Sequence, residues 1–276
     1  MYHRGVDDDP PPPTALAAGA QTFIGAAGAY DRFIGRYAPS LARAFVAAVG
    51  LDNVSSALDV GCGPGALTTE LAGRLGPSAV TAVDPSSVFV EACRERNPDV
   101  RVLPGTAEAL PLDDDSFDLA LAQLVLHFVS DPEAAAAELR RVVSSGGTVA
   151  ACVWDFGPGM AILRAYWDAA TAVDPAAPNE FRERRFGRDG EIAALFIAAG
   201  MTDVRSGSID ASATYADFDE AWDGFLGGAG PAGAHCMSLD GEQRARVREL
   251  VREGLGTPVG PFALTARAWY ATARVT

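Results

Sequence analysis

The sequence is poor in cysteine. It holds only four cysteines among 276 residues, and none of them forms a C-x-x-C pair or stands with a histidine at the spacing of a zinc site. The sequence therefore predicts neither a disulfide framework nor a metal cofactor, and a reducing compartment suits it. The four are Cys62, Cys93, Cys152 and Cys236.

Basic residues are also scarce. Lys and Arg together number 22 against 36 Asp and Glu, which gives a formal net charge of -14. A negative field of this size repels phosphate backbones and anionic lipid surfaces. We therefore expect neither a nucleic acid nor a membrane surface as a partner.

Long apolar runs are missing as well. No run reaches the ~20 residues that a membrane-spanning helix needs. Residues 1–14 contain acids and a proline run where a signal peptide would have an apolar core. We expect a soluble, cytoplasmic protein in which residues 1–14 are a disordered tail.

What the sequence does contain is a glycine-rich stretch, ALDVGCGPG, over residues 57–65. A short buried strand is predicted before the glycines and a helix after them, so the glycines fall on a strand-to-helix turn. Such a turn lets a ligand lie against bare main chain, and nucleotide-like cofactors bind there. Asp84 ends the next apolar run, where a carboxylate would accept hydrogen bonds from ribose hydroxyls.

The pattern Gly61-x-Gly63-x-x-Ala66 also satisfies the loose dinucleotide fingerprint, which is weak evidence alone. Two features argue against it. A carboxylate at Asp59 suits an ammonium group or loop amides better than a pyrophosphate, and the third glycine, Gly65, comes one place early. A nicotinamide-dependent oxidoreductase nevertheless stays an alternative.

Four ordered motifs carry a resemblance to a known family. LDVGCGPG, AVDPS (residues 82–86), GTAEALPLDDDSFDLALAQLVLHFVSDP (105–132) and ELRRVVSSGG (138–147) resemble class I S-adenosylmethionine-dependent methyltransferases of the small-molecule, methyltransferase type 11-like group. YDRFIGRY (30–37) and GGAGPAGAH (227–235) resemble the first helix and a late loop of a bacterial branch of that group.

Strands and helices are predicted to alternate, which indicates an α/β, doubly wound fold with parallel strands. The predicted strands are 56–60, 79–83, 100–103, 117–123, 147–154, 203–210 and 262–273. The resemblance implies a seven-stranded Rossmann-like sheet of order 3-2-1-4-5-7-6 with an antiparallel last strand. Residues 15–50 would form a helical segment over the cofactor site, and residues 51–276 the methyltransferase domain, with lid segments about 156–188 and 211–258.

The resemblance implies S-adenosyl-L-methionine as cofactor and S-adenosylhomocysteine as product. Arg36 would pair with the methionine carboxylate and Asp84 with the ribose, whereas Thr106 stands where the family often has Asp. The residues expected at this site are Tyr30, Arg36, Asp59, Gly61, Cys62, Gly63, Gly65, Asp84, Pro85, Thr106, Ala107, Glu108 and Gln123.

Three residues are candidate general bases: His127, His235 and Asp155. The alternative is that His127 packs a helix, that His235 is an ordinary exposed side chain in a glycine-rich loop, and that Asp155 holds a cationic amine. Aromatic residues in the lid segments favour an apolar or aromatic acceptor, although each alone is more typical of packing. The substrate-contact candidates are Trp154, Trp167, Phe186 and Trp222.

We therefore expect a monomer or homodimer that transfers a methyl group to a small molecule, of the kind found in secondary metabolism. Transfer would be an in-line displacement in a closed site, helped by proximity. Two alternatives remain open, namely a cofactor-binding fold that runs other chemistry such as cyclisation, and an inactive binding module.

Overall fold

A computed structural model gives the fold, and the structure describes residues 32–179, 181 and 185–276. The predicted tail over residues 1–14, the first part of the predicted N-terminal helical segment, and Tyr30 lie outside the described residues.

The strands of the described residues form one seven-stranded sheet with the order β3-β2-β1-β4-β5-β7-β6. Strands β1 to β5 pair in parallel, whereas β7 runs antiparallel to both β5 and β6. The predicted doubly wound fold and strand order are confirmed. The strands are β1 Ala57–Val60, β2 Val80–Asp84, β3 Arg101–Pro104, β4 Phe117–Gln123, β5 Val143–Trp154, β6 Thr202–Tyr215 and β7 Phe262–Arg274.

Helices flank this sheet. A 3-10 helix, Ile34–Tyr37, leads directly into the first α-helix. The α-helices of the described residues are α1 Ala38–Val49, α2 Ala66–Leu75, α3 Ser87–Arg96, α4 Pro132–Val142, α5 Ala161–Val173, α6 Glu191–Ala198, α7 Phe218–Leu226, α8 Gly230–Ser238 and α9 Gly241–Gly254.

Burial explains why the central strands could be predicted from the sequence. Every residue of β1 and β2 is buried, as expected for parallel strands covered by helices on both faces. Because right-handed crossovers put the carboxyl ends of parallel strands at one edge, the residues just after β1, β2, β4 and β5 lie along that edge. The edge is the place to search for a site.

Short polar side chains begin several helices. Ser86, Asp131, Asp217 and Asp240 each accept a hydrogen bond from the main-chain N–H three residues later, at the starts of α3, α4, α7 and α9. Each bond satisfies a donor that has no partner inside the helix. These local signals mark in the sequence where the four helices begin.

Three predicted boundaries were wrong. Strand β5 begins at Val143 instead of residue 147, and Val143 pairs with Phe117 of β4. Strand β6 continues to Tyr215 instead of ending near residue 210, because residues 211–215 pair with residues 262–266 of β7. The glycine-rich segment 227–235, predicted as a loop, enters helix α8 at Gly230, with a proline in its first turn. Gly233 serves close packing there, since a Cβ atom on it would lie 2.8 Å from the main chain of Gly228.

In the part of the chain that the structure describes, no helix combines the length and apolar character that crossing a membrane requires. The cytoplasmic location stays a prediction.

Candidate functional site

The glycine loop after β1 is fixed to the end of β2. The main-chain N–H groups of Gly61 and Cys62 both donate to the carbonyl oxygen of Val83, at 2.7 and 3.1 Å. Gly63 has a φ of 53°, which favours glycine, and a Cβ atom on it would meet no heavy atom within 4 Å. The main chain at Gly63 is therefore open to a ligand. Gly65, at the start of α2, donates its N–H to the Cys62 carbonyl at 3.0 Å.

Asp84 closes this loop. Its buried carboxylate accepts the N–H of Gly63 at 2.9 Å through Oδ2 and that of Ser86 at 2.8 Å through Oδ1. Burial raises the pKa of Asp84, although the two amides act in the opposite direction. Each carboxylate oxygen can accept a second hydrogen bond, so Asp84 keeps acceptors for hydroxyl groups.

Two buried acceptor atoms at this edge lack a donor. Asp59 is 1% exposed, and its Oδ2 accepts from the Thr68 hydroxyl at 2.6 Å, whereas its Oδ1 has no hydrogen-bond partner among the described residues. Burial raises the pKa of Asp59 to about 8, with the Thr68 bond opposing. The Oε1 atom of Gln123, at the end of β4, likewise has no partner in the described part of the chain. Unpaired buried acceptors fit a ligand that carries N–H donors.

Four predicted cofactor residues follow β2 and β3, namely Pro85, Thr106, Ala107 and Glu108. Pro85 and Thr106 are exposed and Ala107 is buried. Glu108 accepts the main-chain N–H of Ser130 at 2.9 Å, so it joins two loops of the same edge. These residues follow strand ends beside Asp84, and their contacts with a cofactor stay predictions.

Arg36 has protein partners in this structure. Its guanidinium donates to Glu220 at 2.6 Å and to the carbonyl oxygen of Thr214 at 2.8 Å, and it lies 4.7 Å from the ring centre of Tyr215. A cofactor carboxylate at Arg36 would have to share the guanidinium with Glu220 or displace it.

A small apolar cavity lies next to Gln123. Leu124 has a φ of 63°, unusual for a residue with a side chain, at the point where β4 turns into the cavity wall. His127 is 3% exposed and packs edge-on against Phe156, with ring centres 5.3 Å apart. The cavity is lined by Phe33, Ile34, Leu124, His127, Phe128, Trp154, Phe156, Leu163, Gly230, Pro231 and Ala232.

Of the predicted catalytic and substrate residues, His127 and Trp154 line this cavity. Asp155 and Phe186 line a different, larger cavity beside α6. The Asp155 carboxylate accepts the N–H of Gly157 at 2.8 Å and so shapes the turn after β5. Asp155 and Phe186 are therefore not brought to the cavity that holds His127.

Three further candidates pack inside the protein. His235 Nδ1 bonds the Tyr166 hydroxyl at 2.8 Å, and burial lowers the pKa of His235. Trp167 is fully buried against Tyr166, and Trp222 packs against Phe225. None of these three predicted residues lines the apolar cavity.

Sequence reasoning missed most of the cavity wall. Phe33 precedes the 3-10 helix, Phe156 follows Asp155, and residues 230–232 begin α8. Phe156 could have been predicted from the sequence as a site residue, because it closely follows the end of the predicted strand 147–154. Phe33 and residues 230–232 lie in the segments 30–37 and 227–235 that carry the family resemblance, but that resemblance did not indicate which side chains the tertiary fold brings over the sheet edge.

The comparisons with known proteins agree with this geometry. Residues 58–151 match the family model described as a methyltransferase domain. The chain is 37% identical over 134 residues to an uncharacterized methyltransferase of Mycobacterium tuberculosis, covering 49% of this chain and 52% of that protein. It is 34% identical over 151 residues to a malonyl-[acyl-carrier protein] O-methyltransferase of Geobacter sulfurreducens, covering 53% and 55%. The chain thus spans about half the length of these curated relatives.

A solved structure extends the likeness to the whole fold. The chain is similar to a SAM-dependent methyltransferase of Thermotoga maritima, described as a possible histamine N-methyltransferase, with a TM-score of 0.52 and 21% identity over 90% of this chain and 99% of that one. The strand order, the glycine loop closed by Asp84 and the matched domain agree. Residues 58–151 thus match a methyltransferase domain, within a fold like that of a SAM-dependent methyltransferase.

Proposed function

We propose that this protein transfers a methyl group from S-adenosylmethionine to a small, uncharged, largely apolar molecule. One observation supports this most strongly: Gln123, with its unpaired Oε1 at the predicted cofactor site, is followed directly by Leu124, which lines the apolar cavity. A donor site and an acceptor site that share a wall are what group transfer requires.

The donor site fits S-adenosylmethionine. Asp59 Oδ1 and Gln123 Oε1 are acceptors without partners in the described part of the chain, as a cofactor with an ammonium group requires. The open main chain at Gly63 and the spare acceptor positions of Asp84 would hold its methionine and ribose parts. When bound, the cofactor supplies an electrophilic methyl group on sulfur.

The protein contributes alignment and the exclusion of water. Holding two reactants in line can supply ~7 to 11 kcal/mol of the barrier. The cavity wall is nearly all apolar, and the unusual backbone at Leu124 is the kind of strain found at functional sites. Catalysis would therefore depend mainly on how well the cavity aligns the acceptor with the methyl group of the cofactor.

His127 is the one titratable residue among the described residues that line the cavity. An imidazole there would accept the proton that an O–H or N–H acceptor loses on methylation. His235 and Asp155 have packing and turn roles, so we assign them no part in this step.

The acceptor is proposed to be a neutral small molecule of the secondary-metabolite kind. The malonyl acceptor named for the Geobacter relative bears a carboxylate, and no cationic side chain among the described residues lines the apolar cavity. Burying a carboxylate without a partner is costly. The net charge of -14 likewise disfavours nucleic acid.

The test is an incubation of the purified protein with methyl-labelled S-adenosylmethionine and fractionated small molecules, followed by mass spectrometry. The proposal predicts labelled, neutral products one CH2 heavier than their precursors. Products of unchanged composition would favour other chemistry on the same fold, and cofactor binding without any product would favour an inactive module. Labelling of malonyl-[acyl-carrier protein] alone would contradict the proposed acceptor class.

A further inference from the structure

One residue that lines the apolar cavity carries a buried donor without a partner in the described part of the chain. Trp154, the last residue of β5, lines the cavity and is 3% exposed. Its indole Nε1 has no hydrogen-bond partner among the described residues. A buried donor normally finds an acceptor, and leaving one unmade costs free energy.

The indole is held in place, so it cannot easily turn to another partner. The Trp154 main chain is paired in register with Ala268 of β7. Its ring packs edge-on against Tyr37, with centres 6.0 Å apart. Tyr37 is itself bonded through its hydroxyl to that of Tyr215, at 3.3 Å.

The other described residues that line the cavity carry no permanently charged side chain that could pair with a ligand. Among the described residues, the wall includes aliphatic and aromatic side chains, the first three residues of α8 and His127, but no Asp, Glu or Arg. A ligand with a full charge would therefore be left without an ion-pair partner. A neutral oxygen that accepts one hydrogen bond would instead complete the site.

We propose that Trp154 Nε1 donates a hydrogen bond to a neutral carbonyl or ether oxygen of the methyl acceptor, and so selects for acceptors that carry such an oxygen. This inference rests on the proposed function, because it names a specificity-determining contact in the same site. It predicts that replacing the oxygen by a CH2 group of similar shape weakens binding.

The experiment follows the indole N–H signals of the full chain by nitrogen-15 correlation spectroscopy, with S-adenosylhomocysteine present. The chain has four tryptophans, and Trp154→Phe identifies the signal of Trp154. Cyclopentanone and methylenecyclopentane, which differ by an oxygen against a CH2 group, are the probes at millimolar concentration. Cyclopentanone should move the Trp154 signal downfield, whereas methylenecyclopentane should not.

Trp269→Phe is the matched control. Its Nε1 is also a buried donor without a partner in the described part of the chain, but Trp269 lines the larger cavity beside α6. Trp154→Phe should lower the affinity for cyclopentanone about tenfold, as expected for one hydrogen bond of ordinary strength. Trp269→Phe should leave it unchanged.

Equal downfield shifts with both probes, no shift with either, or an unchanged cyclopentanone affinity in Trp154→Phe would each overturn the inference. Should Trp154→Phe fail to fold, triple-resonance assignment of the native chain identifies the same signal, and the comparison of the two probes decides. The affinity of the native chain for S-adenosylhomocysteine is measured separately. Absence of binding by the native chain would overturn the proposed function rather than the role of Trp154.

Discussion

The carboxylate of Asp84 accepts a hydrogen bond from the main-chain N–H of Gly63 at 2.9 Å. This bond joins the end of β2 to the glycine loop that follows β1. Because Gly63 is the open point of that loop, the residue expected to bind ribose also sets the shape of the main chain beside it. Changes at either residue should therefore affect cofactor affinity.

Gly63→Ala should weaken cofactor binding more than it weakens the fold. Its φ of 53° disfavours alanine by ~1 to 2 kcal/mol, and the new Cβ atom would enter the space where the ligand approaches. Gly76→Ala is the control, since Gly76 also has a positive φ and open space, but lies at the far end of α2.

Both variants should unfold at lower denaturant concentration, and only Gly63→Ala should bind S-adenosylhomocysteine more weakly by calorimetry. Equal affinities in the two variants would show that the Gly63 main chain is not part of the site.

Asp59 should make the stability of the unliganded protein depend on pH. Its pKa is raised to about 8 in the folded state, so its contribution to stability is complete below its ordinary pKa, near 4, and is lost as the pH rises through about 8. Asp59→Asn should make the free energy of unfolding fall less steeply with pH, by up to ~1.4 kcal/mol per pH unit.

Urea unfolding at several pH values between about 5 and 9 measures the effect. Asp84 has a pKa shifted in the same direction, so part of the slope should persist in Asp59→Asn. If the free energy of unfolding of Asp59→Asn depends on pH as steeply as that of the native chain, the pKa of Asp59 is not raised.

His127 and His235 should respond differently to substitution. His127→Gln should lower turnover of the identified acceptor by ~100-fold or more while cofactor affinity stays unchanged, because it removes a base from the cavity wall. His235→Ala breaks the bond to Tyr166, so it should lower the thermal midpoint and leave turnover nearly native.

Steady-state kinetics and thermal unfolding of the two variants separate these roles. Native turnover in His127→Gln would remove general-base catalysis by this histidine from the account.

The central sheet and the cofactor loop could be predicted because their signals are local. Each buried strand is a short apolar run, and Asp84 and the glycines follow strand ends directly. The extension of β6 to Tyr215 could not be predicted, because alternating small residues become a strand only when β7 pairs with them.

The acceptor side of the site depends on contacts between distant parts of the chain. The partner of Arg36, Glu220, lies 184 residues away, and Tyr166 lies 69 residues from His235. No spacing rule links such pairs, so the sequence indicated their chemistry but not whether each side chain faces the cavity or packs elsewhere.

The most direct test of the account is a calorimetric titration of the native chain and Asp84→Ala with S-adenosylhomocysteine, with Asp118→Ala as control. Asp118 also accepts main-chain N–H groups, from Ser55 and Ser56, but at the opposite edge of the sheet. The account predicts one bound molecule per native chain, a loss of ~1.5 to 3 kcal/mol in Asp84→Ala and native affinity in Asp118→Ala. No binding by the native chain, or equal affinity in all three proteins, would contradict it.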